Sequence, residues 1–255
     1  MNRAIVRKPA SNLAKGLTTA QLGLPDYAEA VAQHDGYCKA LEECGLELIL
    51  LEAEEGFPDS TFVEDTAILT KRSAILARPG APSRFGEVEL IERNLSGWFS
   101  QLERIHAPGT LDGGDVCRAG NHYFIGLSER TNEAGAEQLA HYLSAFGHTC
   151  SFVDIRSVES LLHLKSGLAS LGDRRLVVTE ELATRKEFAG YELIRVSAEE
   201  EYAANCVRIN DAVLVARGYP KLEAALKKLG YHTVSLEMRE FQKLDGGLSC
   251  LSLRF

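Results

Sequence analysis

The chain has 255 residues, 45% hydrophobic and 25% charged, with a formal net charge of −8. That composition supports a large core, and with no basic run it does not favour nucleic acid or an anionic membrane as a partner. No apolar run reaches the roughly 18 residues of a spanning helix, and the opening MNRAIVRKPAS lacks the apolar stretch of a secretory signal.

The six cysteines, at 38, 44, 117, 150, 206 and 250, form no C-x-x-C and stand at no metal-site spacing with histidine. They are expected to be reduced thiols in a cytoplasmic protein, most of them inert core residues.

In chain order, RAIVRKPA reads as a strand and YAEAVAQHDGYCKALEECG as a helix. Three later stretches resemble one another: residues 65–99, 114–147 and 205–230. Each opens with a short apolar strand and a tight polar turn, at Lys71-Arg72-Ser73, Gly120-Asn121-His122 and Asn210-Asp211. Each continues with a second strand, AILA, YFIG or AVLVA, and then an amphipathic helix, VELIERNL, AEQLAHYL or LEAALKKL. The second strands begin at Ala74, Tyr123 and Ala212, and the wider second gap leaves room for another unit, for which RRLVVTEEL supplies a strand. The chain therefore reads as five ββα-type units of about 50 residues, a self-similarity expected of a circular array with a shared centre. An ordinary doubly wound sheet is the alternative. No linker divides the chain, so a single domain spanning residues 1–255 is expected.

Polar residues cluster where a scaffold gains nothing from them. In PDSTFVEDTAILT, Asp59, Glu64 and Asp65 lead into a strand, and acids there are costly unless solvated or paired. They make either a solvated turn or a set of carboxylates around a cation such as a guanidinium, whose planar donors carboxylates match. In TLDGGDVC, Asp112 and Asp115 bracket Gly113-Gly114, as a hairpin turn or a close approach to a ligand. The tail repeats LDGG just before Cys250, as if two units presented equivalent loops. His163, in the apolar SLLHLKSGLASL, is either a satisfied core histidine or a general base; the other histidines carry no pattern. There is no G-x-S-x-G, G-x-x-x-x-G-K-[ST], G-x-G-x-x-G or H-E-x-x-H. A cysteine nucleophile with a distant histidine base remains.

Together, FVEDTA, RPGAPSR, TLDGGDV, GLSERTN, LHLKSG, YAANC and LDGGLSC occur in the order found in dimethylarginine dimethylaminohydrolases, of the guanidino-group-modifying, or pentein, superfamily. The N-terminal GLTTAQLGLPDYAEAVAQH resembles the bacterial branch. The resemblance runs over essentially the whole chain. It implies a five-bladed α/β propeller of ββαβ-type units around a central active-site channel. It also implies hydrolysis of Nω-methylated arginines to citrulline and a methylamine, with no metal or organic cofactor.

Carried over by position, Cys250 matches the nucleophile, His163 the general acid/base and Asp112 the acid that orients the histidine. Many bacterial relatives carry glutamate at that last position; aspartate is one methylene shorter. Glu64 and Asp65 match residues that grip the guanidinium, Arg84 and Arg130 the pair that binds the substrate carboxylate. Asp59, Leu17 and Leu244 match positions near the α-amino group, the two leucines through backbone carbonyls. The cationic substrate favours a thiolate beside it, so Cys250 is expected to ionise when the guanidinium binds.

Arginine deiminases carry an aspartate two residues after the histidine; here Lys165 stands there and cannot accept a guanidinium N–H. That favours a methylated substrate over free arginine. Another guanidine-modifying enzyme, a deiminase or amidinotransferase, is the alternative function, and a non-catalytic binding protein of the same fold the alternative class. The expected partner is the small-molecule substrate, with no nucleic acid or membrane; a homodimer is one option for assembly.

Overall fold

The computed structural model describes residues 1–255. In chain order its main elements are β1 (Arg3–Arg7), α1 (Tyr27–Glu43), β2 (Glu47–Leu51), β3 (Ala67–Leu69), β4 (Ser73–Leu76), α2 (Phe85–Leu95) and β5 (Gln101–Arg104). There follow β6 (Val116–Ala119), β7 (His122–Leu127), α3 (Glu133–Ala145), β8 (Thr149–Asp154), β9 (Leu168–Gly172), β10 (Arg175–Thr179) and β11 (Glu192–Val196). The last are β12 (Val207–Ile209), β13 (Ala212–Ala216), α4 (Pro220–Lys228), β14 (His232–Leu236), α5 (Arg239–Gln242) and β15 (Leu253–Arg254).

The strands form five sheets of three. In every sheet the middle strand (β1, β4, β7, β10 or β13) pairs antiparallel with one neighbour and parallel with the other. A tight turn suffices for an antiparallel pair, whereas a parallel pair needs a crossover. The crossover is a helix in four sheets, α1 to α4. Between β10 and β11 it contains only a short 3-10 turn, Lys186–Phe188. The second strands expected at Ala74, Tyr123 and Ala212 are β4, β7 and β13, and RRLVV holds β10. The third strand of each unit was not visible in the pattern.

Residues 1–64 and 206–255 make one compact unit, residues 65–205 another. In the first, the chain's last strand joins its first: β15 pairs antiparallel with β1, Ala4 opposite Arg254 and Ile5 opposite Leu253. β13 is buried along its whole length. Helix α1 starts at the side chain of Asp26, which accepts the Glu29 N–H at 2.9 Å, and buries Ala30, His34, Tyr37 and Leu41 at helical spacing.

In the second unit, the side chains of β7 alternate between two cores. Tyr123, Ile125 and Leu127 join Ile75, Leu139 and Leu143. Phe124 joins Leu164, Leu168, Leu176 and Phe188 on the opposite face. A strand buried on both faces reads as a continuous apolar run, as YFIGL does. Cys117 lies in the second of these cores. Asn132 caps α3 through the Gly135 N–H, 2.9 Å. Gly147 and Gly230, at φ +81° and +88°, end α3 and α4 in the left-handed conformation that glycine adopts without steric cost. All six cysteines are free, and no helix is long and apolar enough to cross a membrane.

Phe124 has no exposed surface and meets the ring of Phe188 edge-on at 5.0 Å. Phe124→Ala is expected to cost about 3–5 kcal/mol, read as a lowered midpoint in urea denaturation; a loss below about 1 kcal/mol would mean that the core collapses around the gap.

Candidate active site

In the second unit, the sequence TLDGGD folds as a short 3-10 turn, Gly113–Asp115, that follows Asp112 directly. Asp112 has no exposed surface. Its Oδ2 lies 3.0 Å from Nε2 of His163, and its Oδ1 accepts the Gly80 N–H at 2.7 Å. The imidazole packs against Gly114: a Cβ there would stand 2.8 Å from His163 Cγ and 2.9 Å from Asp65 Oδ1. Glycine at 114 therefore lets the histidine lie on the backbone, while the Gly114 N–H donates to Asp65 Oδ1 at 2.8 Å.

Asp65 also takes Arg84 Nη1 at 2.6 Å. Arg84 is itself 4% exposed, and its Nε and Nη2 bind the carboxylate of Glu87 one helical turn on. Expected as half of a carboxylate-binding pair, Arg84 is thus already sandwiched between Asp65 and Glu87. Arg130 differs from it. That residue is half-buried and its guanidinium carries no ion pair; its backbone lies so close to Gly80 that a Cβ there would overlap it.

These charges act on one another. Burial pushes the His163 pKa down, but the charge of Asp65, the hydrogen bond to Asp112 and the charges of Asp115 and Asp112 outweigh it and raise the value to about 9. Burial pushes the Asp65 carboxyl up, and the charges of His163 and Arg84 with the Arg84 and Gly114 hydrogen bonds hold it below its ordinary range. His163 is therefore set up to carry a proton at neutral pH, the form of a general acid. Ligand atoms of Asp65, Asp112 and His163 lie within 4.8 Å of one another; ion pairing and hydrogen bonds account for that closeness without a metal.

The first unit holds the other expected residues. Cys250 is buried in the turn that follows Gly247. The Gly247 N–H points at its Sγ at 3.4 Å, and its carbonyl accepts the Glu64 N–H at 3.1 Å. An amide aimed at sulfur favours the thiolate. Glu64 accepts Ser249 Oγ at 2.7 Å on one carboxylate oxygen and Arg254 Nη2 at 3.0 Å on the other. Arg254 Nη1 continues to the Ser249 carbonyl, 3.1 Å, and to Ser252 Oγ, 2.7 Å, which meets the Tyr37 hydroxyl at 2.6 Å. The costly acids of FVED are thus partnered on both sides.

Leu17 is exposed, and its N–H donates to Asp59 Oδ1 at 3.0 Å. Leu244 is buried. Thr18 Oγ1 binds the Lys243 carbonyl at 2.8 Å and the Thr19 N–H binds Asp245 at 2.5 Å, so the segment after Gly16 is tied to the second LDGG. The two LDGG segments are not alike. Asp112 is extended and buried, whereas Asp245 is left-handed at φ 57°. The shared tetrapeptide does two different jobs.

The family model described as N,N dimethylarginine dimethylhydrolase, eukaryotic, matches residues 24–250. The chain is 44% identical over 252 residues to the N(G),N(G)-dimethylarginine dimethylaminohydrolase of Pseudomonas aeruginosa, covering 98% of each. The chain belongs to the dimethylarginine dimethylaminohydrolase family. A solved structure of the P. aeruginosa protein, a cysteine-to-serine mutant complexed with citrulline, matches 100% of this chain and 99% of its own at 43% identity and a TM-score of 0.97. A histidine-to-glycine dimethylarginine dimethylaminohydrolase, as an adduct with S-methyl-L-thiocitrulline, matches with the same coverage and identity at a TM-score of 0.96. The fold is accordingly the pentein class that the resemblance implies, and the five three-stranded sheets agree with the five repeated units.

The sequence by itself assigns no role to Glu87, Ser249 or Arg254. Glu87 stands one helical turn after Arg84 and Ser249 beside Cys250, so both could be suspected as ion-pair and hydrogen-bond partners. Arg254, in a terminal strand, gives no such signal.

Because the folded-state pKa of His163 is raised, its contribution to stability is complete below pH 6.5, the ordinary histidine value, and is lost as pH rises through about 9. Denaturation below and above that window is expected to show a loss of stability that Asp112→Asn makes smaller. Equal losses in both proteins would contradict the pairing.

Proposed function

We propose that the chain hydrolyses Nω,Nω-dimethyl-L-arginine, and the monomethyl form, to L-citrulline and dimethylamine or methylamine. The observation that carries this is the 44% identity, over 98% of both chains, to a dimethylarginine dimethylaminohydrolase. The buried, proton-retaining His163 and the amide-supported sulfur of Cys250 fit the chemistry independently.

In the proposed reaction the Cys250 thiolate attacks the central guanidinium carbon and forms a tetrahedral adduct. Protonated His163 gives its proton to the departing dimethylamine, and the C–N bond breaks to leave an S-alkylthiouronium on Cys250. His163, now neutral, takes a proton from water as that water attacks the same carbon. The C–S bond then breaks as the hydroxyl of that adduct gives its proton to solvent, where it ends on the freed amine, releasing citrulline and regenerating the thiolate. Asp112 orients the imidazole and stabilises its charged form.

Glu64 and Asp65 are proposed to grip the guanidinium, and Arg130 and Arg84 the α-carboxylate. The unpaired guanidinium of Arg130 is the more accessible of the two, since Arg84 also serves Asp65 and Glu87. Asp59, with Leu17 and Leu244, is proposed to face the α-amino group. Lys165 offers no acceptor to the far guanidinium edge and leaves it to the methyl groups. The catalytic domain is proposed to be the whole chain, residues 1–255, and its compartment the cytoplasm.

Incubation with dimethylarginine and with arginine, each followed for citrulline and amine, is expected to show dimethylamine release from the first and little turnover of the second. Cys250→Ser is expected to abolish turnover and keep substrate binding; substantial residual activity would defeat the mechanism. Alkylation of Cys250 by iodoacetamide is expected to extend to lower pH when a cationic, non-hydrolysed arginine analogue is bound. An unshifted pH profile would show that the substrate charge does not assist ionisation.

A further inference from the structure

Asp112, Arg130 and His163 lie on three different loops of the second unit. A single buried side chain connects all three. Asp115 has no exposed surface. Its Oδ1 accepts the backbone N–H of Leu164, the residue after His163, at 2.9 Å. Its Oδ2 accepts two hydroxyls, from Ser128 and Thr131, each at 2.7 Å. Ser128 Oγ in turn accepts the backbone N–H of Arg130 at 3.0 Å, and Thr131 Oγ1 accepts that of Asp112 at 3.1 Å.

We infer that Asp115 is a positioning residue for the hydrolysis, one carboxylate that sets the Asp112, Arg130 and His163 loops in register and acts through those three residues. The inference rests on the roles proposed above for them. Three donors enter two oxygens, an arrangement suited to the ionised carboxylate, because a carboxylic acid would turn its own hydrogen toward one of them. Ser128 and Thr131 each use their single hydroxyl proton on Asp115, and so must receive the amides of Arg130 and Asp112 as acceptors. The polarity of the whole chain of bonds is thus dictated by the charge at its centre. The fit is close: a Cβ on Gly126 would stand 2.9 Å from both Asp115 Oδ1 and Leu164 Cβ.

The charge is also felt at the imidazole. The acids that act on His163 are Asp65, Asp112 and Asp115, with Arg84 bound to Asp65. Neutralising Asp115 therefore loosens the proton on His163 as well as the loop behind it. A carboxylate that merely stapled the fold would not link the two effects.

Asp115→Asn keeps the shape and removes the charge. Two readouts apply: the titration midpoint of His163, followed by NMR in histidine-labelled protein without substrate, and kcat and KM for dimethylarginine. The midpoint is expected to fall, and kcat to drop by about tenfold to a hundredfold, the scale of loss seen when a reacting group is misplaced. An unmoved midpoint, or kinetics within about twofold of wild type, overturns the inference.

Should Asp115→Asn fail to fold, Ser128→Ala and Thr131→Val decide. The first is expected to raise KM through Arg130 with kcat held, the second to lower kcat through Asp112 with KM held. No change in either variant, or the same change in both, overturns the inference. A wild-type protein that releases no citrulline defeats the functional reading alone, and the substrate-free His163 midpoint then decides the link to Asp115.

Discussion

A carboxylate with no exposed surface must be supplied with donors from the protein, and around Asp115 those donors come from two other loops, the turn of Ser128 and Thr131 and the one that carries Leu164. An unpartnered charge in such a place would cost several kcal/mol, so the loops cannot drift apart while the chain stays folded. This one requirement sets the geometry of the second unit. It orders the turn after Ser128, seats Leu164 and with it His163, and through Thr131 fixes the amide of Asp112, whose side chain holds the imidazole.

The same logic governs the neighbouring charges. Asp65 is buried, and its two oxygens are met by Arg84 and by the Gly114 amide; Arg84 is buried, and Glu87 binds its other edge. In the first unit Glu64, Ser249, Arg254, Ser252 and Tyr37 form a comparable chain around the turn that holds Cys250. Breaking one member of such a set strands the others, which makes these networks rigid as well as stable. Rigidity is what a reaction on a resonance-stabilised guanidinium asks for, because much of the barrier is lowered by holding the reacting atoms in place.

Much of this architecture is legible in the residues. Short continuous apolar runs mark the middle strands at Ala74, Tyr123 and Ala212, which are buried along nearly their whole length, and helical spacing marks the helices after them. The short parallel strands that follow the helices are hard to see: QLER, ELIRV and HTVSL are half-exposed and carry no clean period. The fourth unit, with a 3-10 turn in place of a helix, loses the helical signal as well. The repeated LDGG misleads in another way. A tetrapeptide does not specify its backbone, and Asp112 and Asp245 follow different paths according to what surrounds them.

The candidate chemistry divides along the same line. Residue type and order were enough to single out Cys250, His163, Asp112 and the acids of FVED, since nucleophile, base and carboxylate are recognisable side chains in a family-like sequence of motifs. Which partner each charge would meet was beyond the sequence. That Arg84 meets Asp65 in addition to its helical neighbour Glu87 while Arg130 is left unpaired, that Arg254 serves Glu64, and that Asp115 joins three loops are consequences of packing between distant segments. Hydrogen bonds between residues about 50 or 190 positions apart, as between Asp115 and Leu164 or Glu64 and Arg254, leave no local trace in the chain. They form because burial brings the groups out of water together and leaves them no other partners.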